Sequence, residues 1–122
     1  MILADTSVWI DHLRTRDHHL ALLLGEGQVL IHPMVIGELA CGNLSNRTEV
    51  FSLLRTMPSV TVATDDEVLF FIENHRLMGR GIGYIDVHLL TSVVMTPPAM
   101  LWTIDRRLMR LADELGVAYD RT

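Results

Sequence analysis

The sequence contains no lysine. All ten of its basic residues are arginine, against fifteen aspartates and glutamates, and the formal net charge at pH 7 is −5. A negative protein does not attract nucleic acid over its whole surface. Arginine nonetheless suits phosphate through its planar fork of donors, and a cation bound among acidic side chains would reverse the charge that a phosphate meets there. The net charge therefore argues against electrostatic binding of nucleic acid by the whole surface, but by itself it does not decide whether the protein has a local anion site.

The sequence is equally poor in cysteine and in long apolar runs. Its single cysteine, Cys41, excludes an internal disulfide and fits a reducing compartment. Cys41 lies on an apolar helical pattern and is expected to be a buried structural thiol. No apolar run approaches the roughly 20 residues that cross a bilayer, and residues 1–5 have the pattern of a strand rather than of a signal peptide. These features predict a cytoplasmic protein without a membrane partner.

Repeats, low-complexity stretches and internal linkers are also lacking, so the 122 residues are expected to form one domain. Nearly half of them are hydrophobic, which is enough for a sizeable core. Short apolar runs alternate with helical patterns, and this alternation predicts an α/β fold with a parallel sheet. Strands are expected at residues 2–5, 28–32, 60–63, 101–104 and 117–119, and helices at 7–14, 17–25, 34–41, 46–56, 65–78, 84–95 and 106–115.

Four carboxylates stand where a strand ends or a helix begins. They are Asp5, Glu38, Asp86 and Asp105. Strand ends and helix starts gather along one edge of a parallel sheet, so acids far apart in sequence can meet there. Gathered carboxylates repel one another unless a hard cation binds among them. The sequence therefore predicts a metal site at this edge.

Each of these acids also has a purely structural explanation. Asp5 and Asp105 precede helices and would serve as N-caps, while Asp86 in a first turn would favour the helix dipole. Glu38 is harder to explain in this way, because its helix is apolar almost all round and is expected to be buried. A buried carboxylate needs a cation or an arginine partner.

Other chemistries find less support. The six histidines form no convincing zinc-ligand spacing, and the chain has neither a Gly-x-Ser-x-Gly elbow nor a glycine-rich phosphate loop. The remaining acids are expected on the surface. Four aromatic residues lie on apolar periodicities and are expected in the core rather than stacked on bases: Trp9, Phe70, Phe71 and Trp102.

The motifs around the four acids form a series that resembles the PIN domain, and the chain length resembles that of the VapC toxins of VapBC toxin–antitoxin modules. The motifs are Asp5-Thr6-Ser7 after a strand, Val35-Ile36-Gly37-Glu38-Leu39, Gly83-Tyr84-Ile85-Asp86, and Leu101-Trp102-Thr103-Ile104-Asp105-Arg106. The resemblance covers essentially the whole chain. It implies a single PIN domain over residues 1–122, with a three-layer α/β/α architecture and a parallel sheet of about five strands in the order 3-2-1-4-5.

The resemblance also implies an activity, that of a magnesium-dependent endoribonuclease, with manganese as a substitute. Such an enzyme hydrolyses RNA phosphodiester bonds with a metal-activated water and acts as the toxin of a type II toxin–antitoxin system. By matching position, Asp5, Glu38, Asp86 and Asp105 are the catalytic set. Asp5, Asp86 and Asp105 would hold the metal, and Glu38 would orient water or help a second ion. Supporting hydroxyls would come from Thr6, Ser7 and Thr103.

Two positions depart from the usual pattern of the family. Leu108 stands where many relatives have a further acid, which leaves a second metal ion in question. The segment His88-Leu89-Leu90 is bulkier than the small residues common there.

The implied partners are an RNA substrate, a VapB-type antitoxin and a second copy of the chain in a homodimer. Arg80, Arg106 and Arg107 are candidates for contacts with RNA phosphates. The alternatives are a PIN-type RNA-binding or scaffolding module without catalysis, and a phosphatase of the haloacid-dehalogenase type. That phosphatase needs an aspartate two residues after the first, where this chain has Ser7.

Overall fold

The centre of the molecule is a short parallel sheet. A computed structural model describes residues 1–15 and 18–120. Its strands are β1 (Ile2–Ala4), β2 (Val29–Leu30) and β3 (Met100–Trp102), in the order β2-β1-β3. β1 lies in the middle and pairs with both neighbours in parallel. All three of its residues are buried, as expected for the central strand of an α/β fold.

Helices follow each strand and fill the chain between strands. They are α1 (Thr6–Thr15), α2 (His18–Gly25), α3 (Pro33–Ala40), α4 (Arg47–Thr56), α5 (Asp65–His75), α6 (Tyr84–Val94) and α7 (Arg106–Glu114). The predicted mixed α/β architecture is confirmed, although the expected helix start at Asp17 lies outside the described residues. α5 ends three residues early, because Arg76 adopts a left-handed conformation with φ 52°. Across residues 1–15 and 18–120, no helix has both the length and the apolar character of a membrane span.

The prediction of five strands was wrong: three are present in the described part of the chain. In place of the expected edge strands there are isolated parallel bridges. Ile31 pairs with Ser59, just before the strand expected at 60–63, and Leu101 pairs with Ala118 within the segment expected at 117–119. Near the Ile31–Ser59 bridge, backbone N–H groups donate to side-chain hydroxyls instead of to the backbone carbonyls of a neighbouring strand. The Thr61 amide donates to Thr96 Oγ1, and the Ala63 amide donates to Ser92 Oγ, both at 3.0 Å. The segment therefore follows the sheet edge without extending it.

Two predictions of burial were also wrong. Trp9, Trp102 and Phe71 are buried as expected, but Phe70 is 70% exposed. α5 turns Val68 and Phe71 toward the core, and the residue before Phe71 falls on another face of the helix. Cys41 is exposed because it is the C-cap of α3 and lies at the end of that helix, beyond the packed turns.

A buried polar link joins the β2 side of the sheet to α6. His32 is fully buried and caps α3, its Nδ1 accepting the Met34 amide at 3.0 Å. Its Nε2 therefore carries the proton and donates to Ser92 Oγ at 3.2 Å, which also accepts the Ala63 amide. Burial, with a contribution from His88, lowers the pKa of His32 to about 4. The imidazole is thus held neutral within the core.

Replacement of Ser92 with alanine should destabilise the protein by roughly 2–4 kcal/mol, because two buried donors lose their shared acceptor. Urea unfolding followed by circular dichroism measures this loss. Ser52, which is exposed on α4, provides the matched serine-to-alanine control. A loss no larger than that of Ser52→Ala would show that the link contributes nothing to stability.

Candidate active site: an acidic edge beside β1 and β3

The first acid, Asp5, is fixed by hydrogen bonds at the junction of β1 and α1. It is 3% exposed, and its amide donates to the Trp102 carbonyl of β3 at 3.0 Å. Asp5 Oδ1 accepts the Val8 amide at 3.1 Å and the Ser7 hydroxyl. The structural explanation thus holds, since Asp5 caps α1. Burial raises the pKa of Asp5 above its usual range, while the Ser7 and Thr103 hydroxyls act in the opposite direction.

Asp105 lies three residues after the end of β3, the strand that pairs with β1. It is the N-cap of α7, with Oδ1 accepting the Leu108 amide at 2.9 Å. The Asp105 amide donates to Thr103 Oγ1 at 3.0 Å, and the Thr103 hydroxyl also bonds the Asp5 carboxylate. The buried Thr103 therefore connects the first and the last of the four acids. Capping uses one carboxylate oxygen of Asp105 and leaves the other for a ligand.

The two remaining hydroxyls are placed differently. Ser7 Oγ donates to Asp5 and accepts the Ile104 amide at 3.3 Å, so it bridges α1 and the segment after β3. Thr6 Oγ1 is buried and has no hydrogen-bond partner among the residues that the structure describes. A buried hydroxyl without a partner is uncommon, and it lies next to Asp5 in the chain.

Asp86 shows that the four acids influence one another. It is half-buried in the first turn of α6. Burial is the main reason why the pKa of Asp86 rises to about 6, and the charges of Asp5, Asp105 and Glu38 raise it further. Carboxylates separated by up to 100 residues in sequence are therefore brought within electrostatic range, as the positions of the motifs predicted.

The expectation that Glu38 is buried was wrong. Glu38 is exposed, because α3 turns only Val35 and Leu39 fully into the core and presents Gly37 and Glu38 to solvent. Its apolar composition does not mean that the helix is enclosed on all sides. Because Glu38 is exposed, its carboxylate has no desolvation cost that a cation would have to offset. Its interaction with the site is electrostatic: its negative charge helps to raise the pKa of Asp86.

The donor set suits a hard divalent cation, although the side chains do not enclose one as they stand. Within residues 1–15 and 18–120, no three histidine, cysteine or acidic side chains lie close enough to surround a single ion. Magnesium usually keeps several of its waters and needs only one or two direct carboxylates. Asp5, Asp86 and Asp105, with neighbouring hydroxyls, supply only the oxygen ligands that Mg²⁺ and Mn²⁺ prefer.

The arginines expected near this edge are partly engaged within the protein. Arg80 forms a bidentate pair with Glu114, both distances being 3.0 Å. Arg107 Nη1 donates to the Gly81 carbonyl at 3.4 Å. Arg106 is exposed in the first turn of α7. Of the three candidates for phosphate contacts, Arg80 therefore has the least freedom to meet RNA.

Sequence reasoning missed a second group beside Asp86. Asp65, expected to be a solvated helix-start acid, accepts the Tyr84 hydroxyl at 2.8 Å and lies 2.9 Å from His88 Nε2. Tyr84 and His88 flank Asp86 on α6, and the His88 ring is buried. This group ties the start of α6 to the start of α5. The only sequence signal was the bulk of the segment at His88.

Comparisons with known proteins place the chain in a family. No protein-family model matches it. Two curated relatives, both named ribonuclease VapC32, come from Mycobacterium tuberculosis strains CDC 1551 / Oshkosh and ATCC 25618 / H37Rv. Each is 48% identical over 118 residues, which are 97% of this chain and 95% of the relative. An identity of this size over nearly the full length of both proteins agrees with the order of the acidic motifs, and the chain belongs to the VapC ribonuclease family.

Proposed function

We propose that the protein is a metal-dependent endoribonuclease and the toxin of a type II toxin–antitoxin system. The observation that supports this most directly is the raised pKa of Asp86, to which the charges of the other three acids contribute. Carboxylates that repel one another destabilise the folded protein when no metal is bound, and they become favourable when a cation binds among them. The names of the two VapC relatives give the reaction class: they are ribonucleases.

Each residue of the acidic edge then has a role. Asp5, Asp86 and Asp105 would hold one Mg²⁺, for which Mn²⁺ could substitute. When bound, the ion supplies a lowered pKa for its water and positive charge beside the phosphate. Glu38, which is exposed to solvent, would orient the attacking water. Ser7 and Thr103 fix the orientation of Asp5 through their hydroxyls, and Thr6 offers a further oxygen.

One ion suffices in this arrangement. Leu108 occupies the position where many relatives have an additional acid, and it is fully buried in the core. Its contribution to the site is its backbone amide, which holds Asp105 Oδ1 at 2.9 Å. A second ion would have to depend on Glu38 and the RNA phosphate.

The biological setting follows from the family. We propose that residues 1–122 form a single three-layer PIN domain that acts in the cytoplasm as a homodimer. A cognate VapB-type antitoxin inhibits it, and in the absence of that antitoxin RNA cleavage arrests growth. Arg106 and Arg107, at the start of α7 beside Asp105, remain proposed contacts for RNA phosphates.

Incubation of the purified protein with total RNA should give cleavage in Mg²⁺ or Mn²⁺ and none after chelation, with recovery when the metal is restored. Gel electrophoresis of the products measures this. Protein with Asp86→Asn, purified in parallel, controls for contaminating nucleases. RNA that binds but stays intact in every metal would instead favour the catalytically inactive module.

A further inference from the structure

The loop between α5 and α6 is tied to the far end of α7. This loop, residues 76–83, has two glycines with φ of 77°, Gly79 and Gly81, which turn the chain sharply before α6. Between them, Arg80 extends to Glu114, the last residue of α7. Its two guanidinium nitrogens each lie 3.0 Å from a carboxylate oxygen. Such fork-to-fork pairing fixes orientation as well as distance.

A second contact returns from α7 to the same loop. Arg107, in the first turn of α7, donates through Nη1 to the Gly81 carbonyl at 3.4 Å. The approach is so close that a Cβ on residue 81 would lie 2.4 Å from that nitrogen. The loop is therefore held to both ends of α7, by Arg107 at its start and by Glu114 at its end. We call Arg80, Gly81, Arg107 and Glu114 the α7 clamp.

The clamp joins the two elements that present Asp86 and Asp105. α6 begins three residues after Gly81 and has Asp86 in its first turn, while α7 begins immediately after Asp105. We propose that the α7 clamp sets the separation of Asp86 and Asp105 and so determines the affinity of the acidic edge for its divalent cation. This inference rests on the proposed function, and it makes Arg80 and Glu114 positioning residues rather than substrate contacts.

The exposure of the pair favours positioning over stabilisation. The side chains of Arg80 and Glu114 are 35% and 49% exposed, and ion pairs at such sites add little to global stability. A bidentate pair can nevertheless hold two elements in register. Residues that orient metal ligands from outside the ligand set commonly change metal affinity by tenfold or more.

Calorimetric titration with Mn²⁺ alone, without RNA, tests the clamp directly. Arg80→Gln and Glu114→Gln should each weaken Mn²⁺ binding by about tenfold. The control is Arg55→Gln, because Arg55 is exposed on α4, has the same charge as Arg80 and is not part of the clamp. It should change affinity by less than about twofold. The midpoint of thermal unfolding of the metal-free proteins should be nearly the same for all three variants.

The Glu114 variant separates positioning from direct contact with RNA. Glu114→Gln releases Arg80 while leaving its charge in place, so a phosphate-binding Arg80 would bind RNA as well as before or better. The clamp instead requires the two single variants to lose the same Mn²⁺ affinity. The exchange of charges, Arg80→Glu with Glu114→Arg, should recover a large part of it.

Unchanged Mn²⁺ affinity in both single variants would overturn the clamp, as would a loss confined to Arg80→Gln. Failure of the proposed function would look different. In that case the wild-type protein itself would bind no Mn²⁺, or Asp86→Asn would bind it as well as the wild type.

Discussion

Replacement of Asp5 with asparagine should reduce RNA cleavage by at least about a thousandfold while leaving the fold unchanged. Asp5 is the most buried of the four acids, and in the proposed site its carboxylate is a direct ligand of the cation. Asparagine retains an oxygen to accept the Val8 amide and the Ser7 hydroxyl, so the cap of α1 persists. Single-turnover cleavage of a short single-stranded RNA in Mg²⁺ measures the loss.

The same variant should be at least as stable as the wild type when metal is absent. Burial raises the pKa of Asp5, which means that the folded protein disfavours the carboxylate relative to the unfolded chain. Removal of the charge removes that cost. The control is Glu73→Gln, since Glu73 is exposed on α5, and it should preserve both activity and stability. Metal-dependent cleavage by Asp5→Asn at the wild-type rate would refute the assignment of the site.

The centre of the fold was predictable because its signals are local. β1 and β3 are short apolar runs followed within three residues by an acid, and that acid caps the next helix. The edges were not predictable in the same way. Whether residues 58–63 form a strand depends on Ser92 and Thr96, which are about 30 residues away and take the backbone donors of Ala63 and Thr61.

The candidate site also combines features that local sequence determines with features that depend on distant contacts. The positions of Asp5, Asp86 and Asp105 at strand ends and helix starts were apparent from sequence, because each is set by its own strand or helix. The exposure of Glu38 was not, since it depends on which face of α3 packs against the core. The contacts of Arg80 with Glu114 and of His88 with Asp65 join residues 34 and 23 positions apart. Nothing in the local sequence pairs them.

The stability of the metal-free protein should rise less between pH 4 and pH 6.5 than His32 alone would make it rise, because Asp86 acts in the opposite direction. Asp86 titrates near 6 in the folded protein and near 3.8 in the unfolded chain, so the folded state binds more protons and loses stability as the pH rises. Because Asp86 is only half-buried, this is worth roughly 1–2 kcal/mol. His32 titrates near 4 when folded and near 6.5 when unfolded. Its effect is a gain in stability with rising pH, of up to roughly 3 kcal/mol.

Replacement of Asp86 or His32 should reveal the pH dependence of stability that the other residue contributes. Urea unfolding in the presence of a chelator, at intervals from pH 4.5 to 6.5, gives the free energy of unfolding at each pH. Asp86→Asn should become more stable as the pH rises, and more steeply than the wild type, because Asp86 no longer opposes His32. His32→Asn, which can still cap α3, should become less stable over the same range. Other groups with shifted pKa values, such as Asp5 and Asp65, are common to all three proteins and cancel in the comparison.

The sign of the slope is the decisive quantity, because His32→Asn also loses the hydrogen bond to Ser92 and should start from a lower stability at every pH. Equal slopes in the two variants would mean that Asp86 and His32 do not oppose each other. Saturating Mn²⁺ should abolish the contribution of Asp86 in the wild type, since a bound cation favours the carboxylate over its protonated form. The wild-type protein with metal should then gain stability with pH in the same direction as Asp86→Asn, which connects the buried histidine, the acidic edge and the cation in one measurement.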